Sequence, residues 1–389
     1  MRINLDHQAF CPLLPEAREA MLPFLDSQGG NPLSTHSMGK APREAVEAAR
    51  EKVARLIRAS GDEIIFTSCA SEANNLAVKG VAASLRSKGK HIIASPIEHH
   101  SVLHPLKRLM REGFSVSWLS VDAFGMVDPD ELRAMIRPDT ILITVSCASN
   151  EIGTLEPIRE LGRVAREHGV PFHTDATACA GSVPLDVNDL NVDLLSLASN
   201  PIYGPQGVGA LYVRSGTRIL PLIEGGIQEW GLRAGTHNVA GIVGMGTAAE
   251  IARAELNKRR GHMIALRDLI IEGVLRGIHD VSLTGHPVER LPGHASFTIT
   301  GIEGESLVLH LDLRGISAST GSTCASQAQK TSHVLSAMGM DPVAAQGSVV
   351  LTLGMDNTIH DVETFLKELP PIVKRLREMS PLAASRKAS

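Results

Sequence analysis

The 389-residue chain contains no run of about twenty consecutive apolar residues, the length a helix needs to cross a bilayer. No membrane-spanning role is expected. The opening stretch MRINLDHQAF lacks the apolar segment of a secretory signal, so a cytoplasmic protein is expected. Positive charge is not in surplus either: 38 Lys and Arg stand against 42 Asp and Glu, a net charge of −4. Such a balance offers no general attraction to nucleic acid or to an anionic membrane. Cysteine pairs are missing too. Cys11, Cys69, Cys147, Cys179 and Cys324 are widely spaced, odd in number and form no C-x-x-C motif. That argues against a disulfide framework and leaves packing, a reactive thiol or metal ligation for each. No internal repeat and no low-complexity segment occur.

What is present reads as a globular α/β protein. Hydrophobic residues make up 43% and charged residues 21%, and this length suffices for two packed domains. Between residues 40 and 215 helical and strand patterns alternate, which predicts a mostly parallel sheet covered by helices. Residues 43–58 place Val46, Ala49, Val53 and Leu56 on one helical face. Apolar runs at 63–68, 91–95, 116–120, 141–146, 171–175, 193–197 and 208–213 read as strands. Open sheets of this kind bind ligands beyond the carboxyl ends of their strands. Ser71, His99, Asn150, Asp175 and the turn 198–204 fall there. After residue 255 the pattern changes. One long charged helix, 251–275, leads to strands at 295–300 and 349–354 and helices near 304–313 and 360–377. The expected division is a large domain at 15–255 and a smaller α+β domain built from 1–14 with 256–380. A polar tail, 381–389, follows.

Ten segments, in order, carry a resemblance. They are GNPLSTHSMG (30–39), FTSCASEANNLAVKG (66–80), SPIEHHSVL (95–103), SNEIGT (149–154) and HTDAT (173–177). IYGPQGVGALYVR (202–214), GLRAGTHNV (231–239), GIEGESL (301–307), ASTGSTCAS (318–326) and SHVLSAMGM (332–340) continue it. Together they resemble the NifS/IscS-type cysteine desulfurases, class V of the pyridoxal-phosphate (PLP) dependent aminotransferase family, with fold type I. The resemblance implies a homodimer that serves an iron–sulfur scaffold protein. It implies that Asp175 pairs with the PLP ring nitrogen, that His99 stacks on the ring and that Asn150 reaches its hydroxyl. Ser71 and the partner subunit's Thr236 would hold the phosphate. Ser71 also reads as an ordinary helix N-cap. Cys324 takes the place of the mobile-loop cysteine that accepts sulfur as a persulfide.

The pattern departs at one turn. Where the family has Ser-Gly-His-Lys before IYGP, this chain has Ala198-Ser199-Asn200-Pro201. Proline has no side-chain amine, so the family's Schiff base cannot form there. No lysine occurs between Lys107 and Lys258, and Lys330 reads as an exposed loop residue. The family's ring-contacting glutamine is Ala178, and its carboxylate-clamping arginine is Val350. The resemblance is therefore to a lysine-lacking branch, with PLP held noncovalently at most. Cys324 is then expected to ligate an iron–sulfur cluster or carry a persulfide, as its thiolate needs no PLP for either task.

Two other readings stand beside this one. One is an enzyme that binds PLP noncovalently with weak or altered desulfurase-type chemistry. The other is a metal- or cluster-binding or non-catalytic subunit of a larger complex. For the latter, Cys11, Cys69, Cys147 and Cys179 map to turns or strand ends facing the expected cofactor pocket, with His7, His99, His173 and His237 nearby. Thiolates and imidazoles suit a transition metal. Equally, small cysteines fill space, and no two of these residues share a metal-motif spacing.

Overall fold

The computed structural model describes residues 2–28, 30–321 and 332–380. Cys324, Lys330 and the tail 381–389 lie outside these. Twelve strands run through the described residues. In chain order they are β1 (Ile3–Asn4), β2 (Ile64–Thr67), β3 (His91–Ala94), β4 (Ser115–Trp118), β5 (Thr140–Thr144) and β6 (Phe172–Asp175). Then come β7 (Leu194–Ala198), β8 (Gly209–Val213), β9 (Val281–Leu283), β10 (His294–Ile299), β11 (Ile316–Ser317) and β12 (Ser348–Thr352).

Seven of them form one sheet in the order β2-β8-β7-β6-β5-β3-β4. The pairs β7–β6, β6–β5, β5–β3 and β3–β4 are parallel, while β8 runs antiparallel to β2 and β7. Every residue of β2, β3, β5, β6, β7 and β8 is buried. Continuous burial is what a parallel sheet covered on both faces requires, and it explains runs such as IIFT and TILIT where alternation is absent. The edge strand β4 is the exception, with half-buried and exposed positions.

Helix Ser37–Leu56 turns Val46, Ala49 and Val53 into the largest apolar cluster, as its spacing predicts. Its neighbour is Val239–Ala254, where Gly246 allows close approach. A Cβ there would lie 2.7 Å from the Ala49 Cα. A second apolar cluster joins β10, β12 and helix Ile359–Met379 through Phe297, Leu351 and Phe365. The N-terminal segment joins it through Leu5 and Ile3: β1 pairs with β11, Leu5 is fully buried, and Thr352 N donates to Leu5 O at 2.8 Å.

The single long helix expected at 251–275 is two helices, Val239–Ala254 and Leu256–Gly277. Glu255, at φ −98° and ψ 5°, interrupts the backbone between them. Helical side-chain periodicity runs through this residue, so only the backbone torsion reveals the break.

Candidate functional site

A cavity of about 470 Å³ opens at the carboxyl edge of the seven-stranded sheet, within the usual range for small-ligand sites. It collects residues that follow five strand ends: Ser71 after β2, His99 after β3, Asn150 after β5, Asp175 at the end of β6, and Pro201 after β7. The N-terminus of helix Ala70–Ser84 reaches the cavity because β8 passes against it. A Cβ on Gly209 would fall 2.5 Å from the Cys69 carbonyl carbon, so only glycine permits that approach. The N-cap of this helix is Cys69. Ser71 sits one residue inside the first turn rather than at the cap, a correction to the capping expectation.

Asp175 anchors the floor. Its Oδ2 accepts from Asn74 Nδ2 at 2.6 Å and its Oδ1 from Thr177 N at 2.9 Å. Asn74 also donates to Ser101 Oγ at 2.8 Å. Ser101 Oγ lies 2.7 Å from His99 Nδ1, which accepts Ser101 N–H at 3.1 Å. With Nδ1 accepting, the hydrogen-bond network assigns the His99 proton to Nε2. Asp175, Asn74, Ser101 and His99 thus form one relay that fixes a carboxylate and an imidazole relative to each other. Asn74 is fully buried. A polar residue on an otherwise apolar helix face was the sequence signal for it, and sequence reasoning passed over it.

Pro201 lies in a short 3₁₀ turn, Asn200–Ile202, that ends at Tyr203 with φ +68°. Ala198, Asn200, Pro201 and Tyr203 all border the cavity, and so does Ala178. Among the described residues no lysine does. Val350 is buried in β12 opposite Ser296 and is not part of the wall. Thr236 is exposed in the segment before helix Val239–Ala254 and lies outside the cavity of a single chain.

The cysteines separate into two groups, which corrects the expectation that all four face the pocket. Cys11 and Cys69 border the cavity. Cys147 and Cys179 are packed in the large apolar cluster, side by side. Burial pushes the Cys179 thiol well up, and burial with the Asp356 charge pushes Cys11 up to about 12. Neither is an activated thiolate. His173 lies within the sheet between Thr144 Oγ1 and Ser196 Oγ, and burial pulls its pKa down to about 4. His237 pairs with Glu229 at 2.6 Å. Among the described residues no group of three or more His, Cys, Asp or Glu is placed to hold a metal ion.

Buried acids ring the site, and their number was not foreseen. Glu98 receives Ser146 N–H and Ser146 Oγ–H, both at 2.6 Å, and burial raises its pKa to about 8. Glu151, held by Ser332 Oγ, is raised by burial to about 7. The folded chain keeps the Glu98 proton up to about pH 8, whereas an unfolded glutamate loses it near 4.5. Folding stability therefore falls as pH rises across that interval. Glu98→Gln should melt with the wild type near about pH 5 and above it near about pH 8.5. Melting curves at the two pH values check this.

Comparison with known proteins agrees with the fold and the arrangement of strand ends. The aminotransferase class-V family profile matches residues 3–365. The cysteine desulfurase IscS of Dictyoglomus turgidum is 50% identical over 379 residues, 97% of this chain and 96% of that protein. A solved NifS-like protein superposes with a TM-score of 0.91 at 37% identity, covering 97% of this chain and all of that one. The structure of SspA in complex with cysteine superposes at 0.81 with 33% identity, covering 91% and 99%. The chain belongs to the class-V aminotransferase family, among its IscS/NifS-type cysteine desulfurases.

Proposed function

We propose that this chain is a cysteine-desulfurase homologue that serves iron–sulfur assembly or sulfur transfer through Cys324, without a covalently held PLP. The observation that carries this reading is the cavity wall at Pro201. The turn that bears the family's lysine is in place and borders the cavity, yet it offers no amine, and no described lysine substitutes. For sulfur transfer, Cys324 takes the outer sulfur of another persulfide, whose donor thiol leaves reduced; for assembly, sulfide enters only as a bridging ligand of the cluster that Cys324 binds. The protein acts as a dimer with a scaffold partner.

The cavity still suits the PLP ring. Asp175 is tied by two donors and faces the cavity, as a partner for a protonated ring nitrogen must be. His99 is oriented by the Ser101 relay, and Ser71 lies in the first turn of a helix whose free N–H groups favour a phosphate. When bound, PLP supplies an electron sink for chemistry at an amino acid. These residues orient it, and residue 201 adds nothing covalent. The network around Asp175 thus also supports the second reading, a noncovalent PLP enzyme of low activity.

The test uses the full chain. Reconstituted anaerobically with iron and sulfide, the wild type should turn brown and Cys324→Ser should not. After loading with PLP and treatment with borohydride, dialysis should remove all the cofactor's absorbance. Sulfide release from cysteine at the rate of a lysine-bearing relative would overturn the proposal.

A further inference from the structure

The cavity holds one strong cation, and most of its donors are unspent. Arg259, on helix Leu256–Gly277, borders the cavity and its side chain is only 3% exposed. Among the described residues it is the one Lys or Arg in the wall. Its guanidinium lies 5.3 Å from the ring centroid of Tyr203, two residues beyond Pro201, so it stands against the turn that lost the lysine. Nε donates to Glu255 Oε2 at 3.2 Å. No other hydrogen bond or ion pair to a described residue engages it.

A guanidinium has five N–H donors. Four of these remain for whatever enters the cavity. The wall's own carboxylates do not take them: Asp175 is held by Asn74 and Thr177, and Glu151 by Ser332. Asp6, the remaining one, makes no ion pair with Arg259. A buried guanidinium with four N–H donors unpaired is costly, and its planar fork is satisfied best by two oxygens of one anion. The surroundings limit the anion's size and character. Met263, Leu291 and Leu353 border the same region, so the remainder of the ligand meets apolar wall. Ala178 and Pro201, both short side chains, border the same cavity.

We infer that Arg259 is the carboxylate anchor of this cavity, holding the carboxylate of an amino-acid-sized ligand against the wall that bears Pro201. This goes beyond the proposed function, which rests on Cys324, and it places the anchor on a different element from Val350. Tyr203 holds the fork in place by lying under its face, with its own hydroxyl engaged by Met355 N–H at 2.6 Å. Glu255 fixes the guanidinium through Nε alone, which leaves the two terminal nitrogens without an acceptor among the described residues.

The experiment is calorimetric titration of the full anaerobic chain with L-cysteine and with cysteamine, which has the same thiol and amine but no carboxylate. The wild type should bind L-cysteine at least ~10-fold more tightly. Arg259→Gln should erase the preference while circular dichroism shows it folded. Where that variant does not fold, Arg259→Lys serves: it keeps the charge, loses the fork and should show a reduced preference. A wild type without preference for the carboxylate, or an Arg259 variant that keeps it unchanged, overturns the inference. Cys324→Ser should leave the titrations as they are while abolishing cluster formation, so each proposal can fail without the other.

Discussion

Replacing Pro201 by lysine should give a chain that fixes PLP covalently and still turns over cysteine poorly. The turn accepts the change. Residue 201 lies in a 3₁₀ segment with its side chain on the cavity wall, and lysine adopts the same negative φ without strain. Borohydride should then lock the cofactor's absorbance to the protein, where the wild type loses it. Turnover is a separate matter, because catalysis needs the substrate held to a fraction of an ångström. On the proposed reading, the resemblance implies phosphate contacts where Ala198 and Asn200 stand, a ring contact where Ala178 stands and a carboxylate clamp where Val350 stands. Misplacement of this order costs ~10²-fold or more. Sulfide release by Pro201→Lys should therefore stay at least ~10²-fold below that of a lysine-bearing relative. A fully active single variant would show that those other positions do not matter.

The largest effect on stability should come from Glu229. Its side chain is 1% exposed, and it accepts from Arg50 through both oxygens, at 2.7 and 2.8 Å. It also accepts from Phe66 N at 2.7 Å and pairs with His237. Arg50 is itself buried, with its guanidinium 4.8 Å from the Phe66 centroid and 4.7 Å from that of Trp230. The backbone at Glu229 and Trp230 is left-handed, with φ of 47° and 54°, so the side chain holds a turn that would otherwise relax. Glu229→Ala leaves buried Arg50 with only the half-exposed Glu47 carboxylate and the Ile64 carbonyl as acceptors and should cost ~3 kcal/mol, read from the urea midpoint. A loss below ~1 kcal/mol would mean that water enters and replaces the carboxylate. The pair also sets an acid limit. Burial alone would raise the Glu229 pKa, but hydrogen bonds from Arg50 and His237 outweigh it and hold the carboxyl at about 2, against an ordinary 4.5. A depressed pKa of this kind contributes stability fully above about pH 4.5, and that stability is lost as pH falls toward 2.

Which of these features the sequence announced depends on how local they are. The strands from β2 to β8 were legible because each is a short apolar or β-branched run between turns, and all but the edge strand β4 are buried along their whole length. β1, β9 and β11 were not, since two or three residues carry no pattern and form only where a distant strand receives them. Ser71, His99, Asn150 and Asp175 could be grouped because each follows a strand end, and parallel strands deliver their ends to one edge. Asn74 and Arg259 could not be grouped with them. One lies a full turn inside a helix; the other sits in a charged run, KRR at 258–260, that looks like solvated surface. The cysteines misled for the converse reason. A position near a strand end fixes the edge of the sheet but not whether the side chain points into the cavity or into the core, and Cys147 and Cys179 point into the core.

The pairing of residues 3–7 with β11 and β12 has a consequence for how the protein is made. His7 borders the cavity, and its ring nitrogen reaches the carbonyl of Thr352, 345 positions later. At ~5–20 residues per second on a ribosome, those first residues wait roughly 20–70 s for their partners. The seven-stranded sheet is complete once β8 has emerged, well before that. The nascent chain therefore passes through a stage with a finished sheet and a cavity that still lacks the wall from His294 to Leu353, with the segment around Leu5 still unpaired. A chaperone that shields this segment should raise the yield of folded protein more than one that acts on the sheet.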